Sequence, residues 1–221
     1  MPPCNAVDKG GWAGKDSMER KKLTTKDLLN LGIFGTIYAV IMAIAGLSSA
    51  PAPFLLFIFM SIAAFVNGTV FMLYLTRVNR FGMVLLLGIL MGLIMLAIGK
   101  SWTVILATIV FGLLAEAILA WGDYKAPLQS VLAYAVFSLW FIGPLLPILW
   151  FTDEYYANVM GENGAEYANA FLNFFSVPVV AGFGALIFVM ALAGGALGRV
   201  LIKKHFTKAG LVQNSQTGSK K

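Results

Sequence analysis

The sequence predicts an all-α integral membrane protein, a bundle of six transmembrane helices with both termini cytoplasmic. Three observations predict it. Of 221 residues, 59% are hydrophobic and only 12% are charged, about half the charged share of a soluble domain. The apolar residues gather into six long runs. The cationic residues gather at the ends of those runs, nearly all on one side. A soluble domain of this length keeps too much area in water to hide so many apolar side chains, and a bilayer removes that difficulty.

The first run, Leu28–Ala50, is preceded by Thr24 and Asp27 at capping-box spacing. Pro51 and Pro53 separate it from the second, Phe54–Thr76. Asn79-Arg80-Phe81-Gly82 leads into the third, Met83–Gly99, which is the shortest but rich in Leu, Ile and Val. Each such residue favours insertion by roughly 0.3–0.6 kcal/mol, so this run should enter the membrane unaided. The fourth, Trp102–Trp121, lies between Gly99-Lys100-Ser101 and Gly122-Asp123-Tyr124-Lys125. The fifth, Leu128–Phe151, contains Pro144 and Pro147; a polar connection, Thr152 to Asn173, leads to the sixth, Phe174–Ile202. These lengths suit the ~20 residues a helix needs to cross ~30 Å of hydrocarbon. The runs are apolar all round, unlike a surface helix, and lack the alternation of a barrel strand. Backbone groups in lipid must be satisfied internally, so the runs should be helical.

The domain expectation follows: residues 1–20 a disordered cytoplasmic tail, 21–205 the six-helix domain, 206–221 a cytoplasmic C-terminal tail. Met1 to Ser17 is Gly-rich and polar, no cleavable signal peptide is expected, and Met18 is a candidate natural start. Orientation comes from Lys and Arg, which are costly to export. With the N-terminus inside, every one of the 16 basic residues except Lys100 is cytoplasmic, while the long connection carries Asp153, Glu154, Glu162 and Glu166 outside.

Several functions lack their residues. One cysteine, Cys4, and one histidine, His205, give no intramolecular disulfide and no metal site, and no cofactor is expected. There is no HExxH, no Gly-x-Ser-x-Gly and no histidine to serve a nucleophile, so no catalytic set is assigned. Gly99-Lys100-Ser101 resembles the end of a phosphate loop, but the required first glycine is Ile94. Any ATP hydrolysis must come from other subunits. The net charge of +6 sits at the ends of the runs, where it reads as topology signal and lipid contact rather than nucleic-acid binding.

Four groups of residues are candidates for function. Gly35, Ala39 and Ala43, continued by Gly46 and Ala50, put small residues on one face of the first helix; they read either as internal packing or as a docking stripe for a partner. Gly88 with Gly92, and Gly194 with Gly198, read as internal packing. Glu116 is a candidate intramembrane charge, either hydrated or paired with Arg77, Arg80 or Lys125, or else a proton-coupling site. Pro144 and Pro147 either kink the fifth helix or open its outer half into a pocket. That pocket would be lined by Trp140 and assembled with Trp102, Lys100, Asp153, Tyr155, Asn169 and Asn173. The inventory suits a small polar or aromatic ligand, although each residue alone also fits an interfacial belt.

The segments Lys21-Lys22-Leu23-Thr24-Thr25-Lys26-Asp27-Leu28, Tyr134-Ala135-Val136-Phe137-Ser138-Leu139-Trp140 with Gly143-Pro144-Leu145-Leu146-Pro147, and Gly194-Gly195-Ala196-Leu197-Gly198 with Lys203-Lys204-His205-Phe206-Thr207-Lys208-Ala209-Gly210 resemble the Trep_Strep or MptD-type family. The resemblance runs from about Lys21 to Val212. It implies a six-helix S component of an energy-coupling factor (ECF) transporter in a prokaryotic plasma membrane. Such a subunit captures a small nutrient from outside and associates with a membrane scaffold (T) subunit and two cytoplasmic ATPases. It also implies that Ala39 and Ala43 meet the scaffold. It carries over no ligand-binding residue. The competing readings are a stand-alone ion-coupled carrier, with Glu116 as its ionisable group, and a non-transport membrane scaffold.

Overall fold

The computed structural model describes residues 24–78, 80–124 and 126–208. The expected N-terminal tail (1–20), with Cys4, and all but the first residues of the expected C-terminal tail lie outside the described residues. The chain forms α1 (Thr25–Ser48), α2 (Pro53–Arg77), α3 (Met83–Ala97), α4 (Thr103–Trp121), α5 (Pro127–Ser138) continued by a 3₁₀ stretch (Leu139–Leu149), α6 (Thr152–Asn163), α7 (Ala165–Phe174) and α8 (Val177–Lys208). No strand occurs among the described residues.

Five spans are long and apolar enough to cross a membrane: α1, α2, α4, α5 with its 3₁₀ continuation, and α8. The third expected span is shorter than the sequence suggested. It ends at Ala97, and α3 has 15 residues. Glycines at both ends set its length. Gly82 (φ +92°) and Gly99 (φ +92°) hold left-handed conformations that other residues rarely adopt. At the far end the Lys100 amide bonds to the Met95 carbonyl and Gly99 to Leu96, a Schellman stop. Gly99-Lys100-Ser101 is thus a helix terminator.

Neighbouring helices close into a ring in the order α1, α2, α8, α5, α4, α3 and back to α1. The tightest seam is α2 on α8. A Cβ on Gly194 would lie 2.1 Å from the Phe65 carbonyl oxygen, and one on Gly68 would lie 2.3 Å from the Gly194 backbone. Only glycine allows the two backbones to touch in this way. On the other side of the ring, α3 runs antiparallel to α4. Gly112 faces Leu85, Gly88 faces the Thr108 carbonyl, and Gly92 faces Thr108 and Ile105. Both glycine pairs expected to pack internally do so.

The prolines of the fifth span do not simply kink an α-helix. They convert its second half to 3₁₀ geometry over Leu139–Leu149. Neither Pro144 nor Pro147 has an amide to donate. Pro147 would serve the Gly143 carbonyl in an α-helix; the Thr103 hydroxyl donates to it instead, at 2.9 Å. The connection expected to be a polar loop folds as α6 and α7, joined at Gly164 (φ +87°). They cover one end of the ring, where Phe171 stacks on Phe175 with centroids 4.4 Å apart. The outside of the ring is apolar, with Ile33, Ile37, Val40, Ile58, Ile62, Val110 and Val189 exposed, as a lipid-facing surface must be.

Candidate ligand site at the centre of the ring

The middle of each long helix should be the least polar part of the chain. In this ring it is not. Tyr38 near the middle of α1, Asn67 near the middle of α2, Tyr134 and Ser138 on α5, and Trp140 at the start of the 3₁₀ stretch are all fully buried, at 0% exposure. Helix geometry brings them to one level. The Tyr134 hydroxyl donates to the Ala64 carbonyl, and Asn67 lies one turn from Ala64 on the same face of α2. Phe71, a further turn along, stacks 4.9 Å from Tyr134 and 5.4 Å from Phe137. Phe137 meets the edge of Tyr38 at 6.2 Å, and Phe141 bridges Tyr38 (6.5 Å) and Trp140 (5.0 Å).

Part of this cluster is satisfied. The Ser138 hydroxyl donates to the Tyr134 carbonyl at 2.9 Å, a back-bond that favours bending at the residue where α5 gives way to 3₁₀. Four polar atoms have no protein partner among the described residues: Tyr38 Oη, Asn67 Oδ1 and Nδ2, and Trp140 Nε1. The Tyr38 hydroxyl lies beside the Trp140 indole N–H and the Ser138 hydroxyl, close enough for weak hydrogen-bond contributions, but no pairing there has full hydrogen-bond geometry. Together these atoms offer donors (indole, amide and phenol) and acceptors (phenol and amide oxygen), inside a wall of phenylalanines. None of these side chains is charged. These donors and acceptors match an uncharged, partly aromatic molecule, which can enter only if the closely packed side chains part to make room for it.

Of the residues expected to line a pocket, the structure brings only Trp140 into this cluster. Trp102 and Tyr155 meet nearer the α6–α7 end, around a cavity of about 30 Å³ shared with Ser101, Pro147, Phe151 and Asn158. That is far below the ~300 Å³ of a small-molecule site. Tyr155 packs on Phe171 at 5.9 Å; burial, with the nearby Glu162 charge, raises its pKa and keeps it protonated. Lys100 pairs with Glu162 at 2.7 Å, fastening α6 to the α3–α4 turn. Asp153, Asn169 and Asn173 are exposed.

The stripe on α1 divides. Gly35 is packed inside the ring, where a Cβ would lie 2.8 Å from Leu90. Ala39 is half-buried against the core. Ala43 is exposed.

Glu116 is fully buried, and neither Arg77 nor Arg80, two of the expected partners, pairs with it, while Lys125 lies outside the described residues. One oxygen accepts the Val84 amide at 2.6 Å and the Leu85 amide at 3.3 Å; the other accepts the Tyr124 hydroxyl at 2.8 Å. The short α3 explains this. It begins more than a turn inside the end of α4, so its first amides would otherwise be unpaired at membrane depth. A carboxylate at a helix N-terminus satisfies them and complements the dipole. Tyr124 reaches it from a left-handed backbone (φ 56°), unusual for an aromatic residue; burial, then the adjoining Glu116, raises its pKa, so it stays a donor. Arg80 pairs instead with Asp27 at 3.0 Å, and that carboxylate also accepts the Thr24 amide and hydroxyl at the start of α1.

An all-helical chain with five long apolar spans and one short one accords with the comparison to known proteins. Residues 25–208 match the model of a family described as "Hypothetical bacterial integral membrane protein (Trep_Strep)". The chain belongs to the Trep_Strep family. No curated protein and no solved structure matches it. Within this Trep_Strep protein, sequence reading reached Trp140 through the neighbouring prolines. It missed Tyr38, Asn67, Tyr134 and Ser138. The signal that could have found them is a mid-span amide or phenol in an otherwise apolar run, since polar side chains at that depth are costly.

Proposed function

We propose that this Trep_Strep protein is the substrate-binding S subunit of an ECF-type importer in a prokaryotic plasma membrane. It takes a small uncharged or weakly polar nutrient into the ring and yields it when partner subunits act. The observation that carries the reading is the set of four stranded polar atoms on Tyr38, Asn67 and Trp140. Each buried polar group without a partner costs about 1–3 kcal/mol, and a ligand that supplies the missing bonds recovers that cost. A non-transport scaffold has no use for such an expense at its centre.

In this reading α3 is the sixth crossing and both termini are cytoplasmic. Support comes from its place in the closed ring, from its antiparallel run along α4, and from the Lys and Arg distribution. The α6–α7 end then faces outside. Release needs a second state that binds the ligand poorly, and the chain carries no phosphate loop of its own. A scaffold subunit and two ATPases supply the cycle, the scaffold meeting α1 at Ala43 with Ala39 at the edge of the contact. An ion-coupled carrier would rest on Glu116, and all three of that group's bonds hold α3 and Tyr124.

The test is purification from native membranes, with and without co-expressed scaffold and ATPases. The S-subunit reading predicts a complex of defined stoichiometry in at least the second case. Ala43→Phe should weaken that complex and leave ligand binding intact. Failure to associate under both conditions would refute the assignment.

A further inference from the structure

A cavity of about 470 Å³ opens at the end of the ring opposite α6 and α7, between the last turns of α2 and α8 and the start of α5. Its lining shares no residue with the Tyr38–Asn67–Trp140 cluster and has a different chemistry. Its apolar wall is Met72 and Leu75 from α2 with Val200 and Ile202 from α8. Arg199 and Lys203 also line it, four residues apart and hence on one face of α8. Arg199 is half-buried, and the ion pairs among the described residues, Arg80 with Asp27 and Lys100 with Glu162, do not involve it. A guanidinium drawn partly out of water beside an apolar wall calls for an anion that can accept its paired donors.

We propose that this cavity seats an anionic phospholipid of the adjoining leaflet. The Arg199 guanidinium holds the phosphate, and the α2–α8 wall carries the first part of an acyl chain. Two features select a lipid over a soluble phosphate. The wall belongs to helices long and apolar enough to cross a membrane, and Val200 on it is exposed, so a lipid chain can lie along it. A free phosphate would also leave Leu75, Val200 and Ile202, which are exposed or half-buried, uncovered, whereas a chain covers them. The basic end of the ring suits the leaflet richer in anionic lipid. The inference is independent of the transport reading, because it concerns neither the central cluster nor any partner.

The test is native mass spectrometry of the delipidated full-length protein in micelles containing equal phosphatidylglycerol and phosphatidylcholine, with inorganic phosphate added in a parallel arm. The wild type should retain phosphatidylglycerol about tenfold over phosphatidylcholine: both offer a phosphate to the guanidinium, but the choline ammonium is repelled by the cationic lining, at about 1.4 kcal/mol. Arg199→Gln should abolish the preference. Arg199→Lys, which keeps the charge but loses the fork, should retain part of it and controls for folding. Equal retention of the two lipids by the wild type, an unchanged preference in Arg199→Gln, or displacement of the lipid by inorganic phosphate would each overturn the proposal.

Discussion

At the scale of single residues, Glu116 and Asn67 make opposite predictions although both are buried and polar. Glu116 satisfies three donors, so Glu116→Ala strands them at about 1–3 kcal/mol each before relaxation. Its thermal unfolding midpoint in detergent should fall well below that of the wild type. Glu116→Gln keeps a carbonyl acceptor and should fall less. An alanine variant as stable as the wild type would remove the capping role. Asn67 and Tyr38, in contrast, bear polar atoms that no described residue bonds with full hydrogen-bond geometry. Asn67→Leu and Tyr38→Phe should therefore leave the ligand-free protein as stable as the wild type, or more so, as the same melting measurement will read. A marked drop in both would mean the groups serve folding. Glu116 was legible in the sequence because a charge in an apolar run is conspicuous. Its partners were not, because two of them are backbone amides that leave no mark in the residue pattern. Tyr38 and Asn67 were illegible because hydropathy averaged over a whole run absorbs a single polar side chain.

At the scale of elements, the α2–α8 seam is set by glycine. Gly194→Leu would drive a side chain into the Phe65 carbonyl, which no rotamer change can relieve. Overpacking of this kind costs about 1–3 kcal/mol, or more where backbone must move. The yield of monodisperse protein on size-exclusion chromatography should collapse. Gly182 lies in the same helix with open space around it, and Gly182→Ala should behave as the wild type or be slightly more stable. Spacing of four made the Gly194 and Gly198 contact readable in advance. The same spacing left Gly35 open between internal packing and docking, because periodicity identifies a face but not which neighbour covers it: the turn at Gly82 brings α3 back against that face, and Leu90 fills it. The 3₁₀ stretch was half legible. Pro144 and Pro147 announced a break, but the Thr103 hydroxyl that serves Gly143 comes from another helix. The α6–α7 pair was read as a loop because its polar residues outweigh a short apolar stripe of Ala168 and Phe171.

At the scale of the whole molecule, six apolar runs were enough to find the bundle, and the placement of Lys and Arg proposed its orientation. Labelling tests that orientation. In a Cys4→Ser background, a cysteine introduced at Gly161 of α6 should react with an impermeant maleimide in intact cells, and one at Lys221 should react only after permeabilisation. The reverse pattern would invert the bundle and place the α6–α7 cover inside. What the sequence could not give was the order of the ring, because it arises from close contacts between helices distant in the chain.

The sharpest single test is native mass spectrometry of the full chain purified from its host membranes, beside Asn67→Leu and Tyr38→Phe. A ligand site at the centre of the ring predicts one non-lipid molecule retained by the wild type and lost from both well-folded variants. A wild type that carries no such molecule after incubation with host extract, or variants that retain it fully, would contradict it.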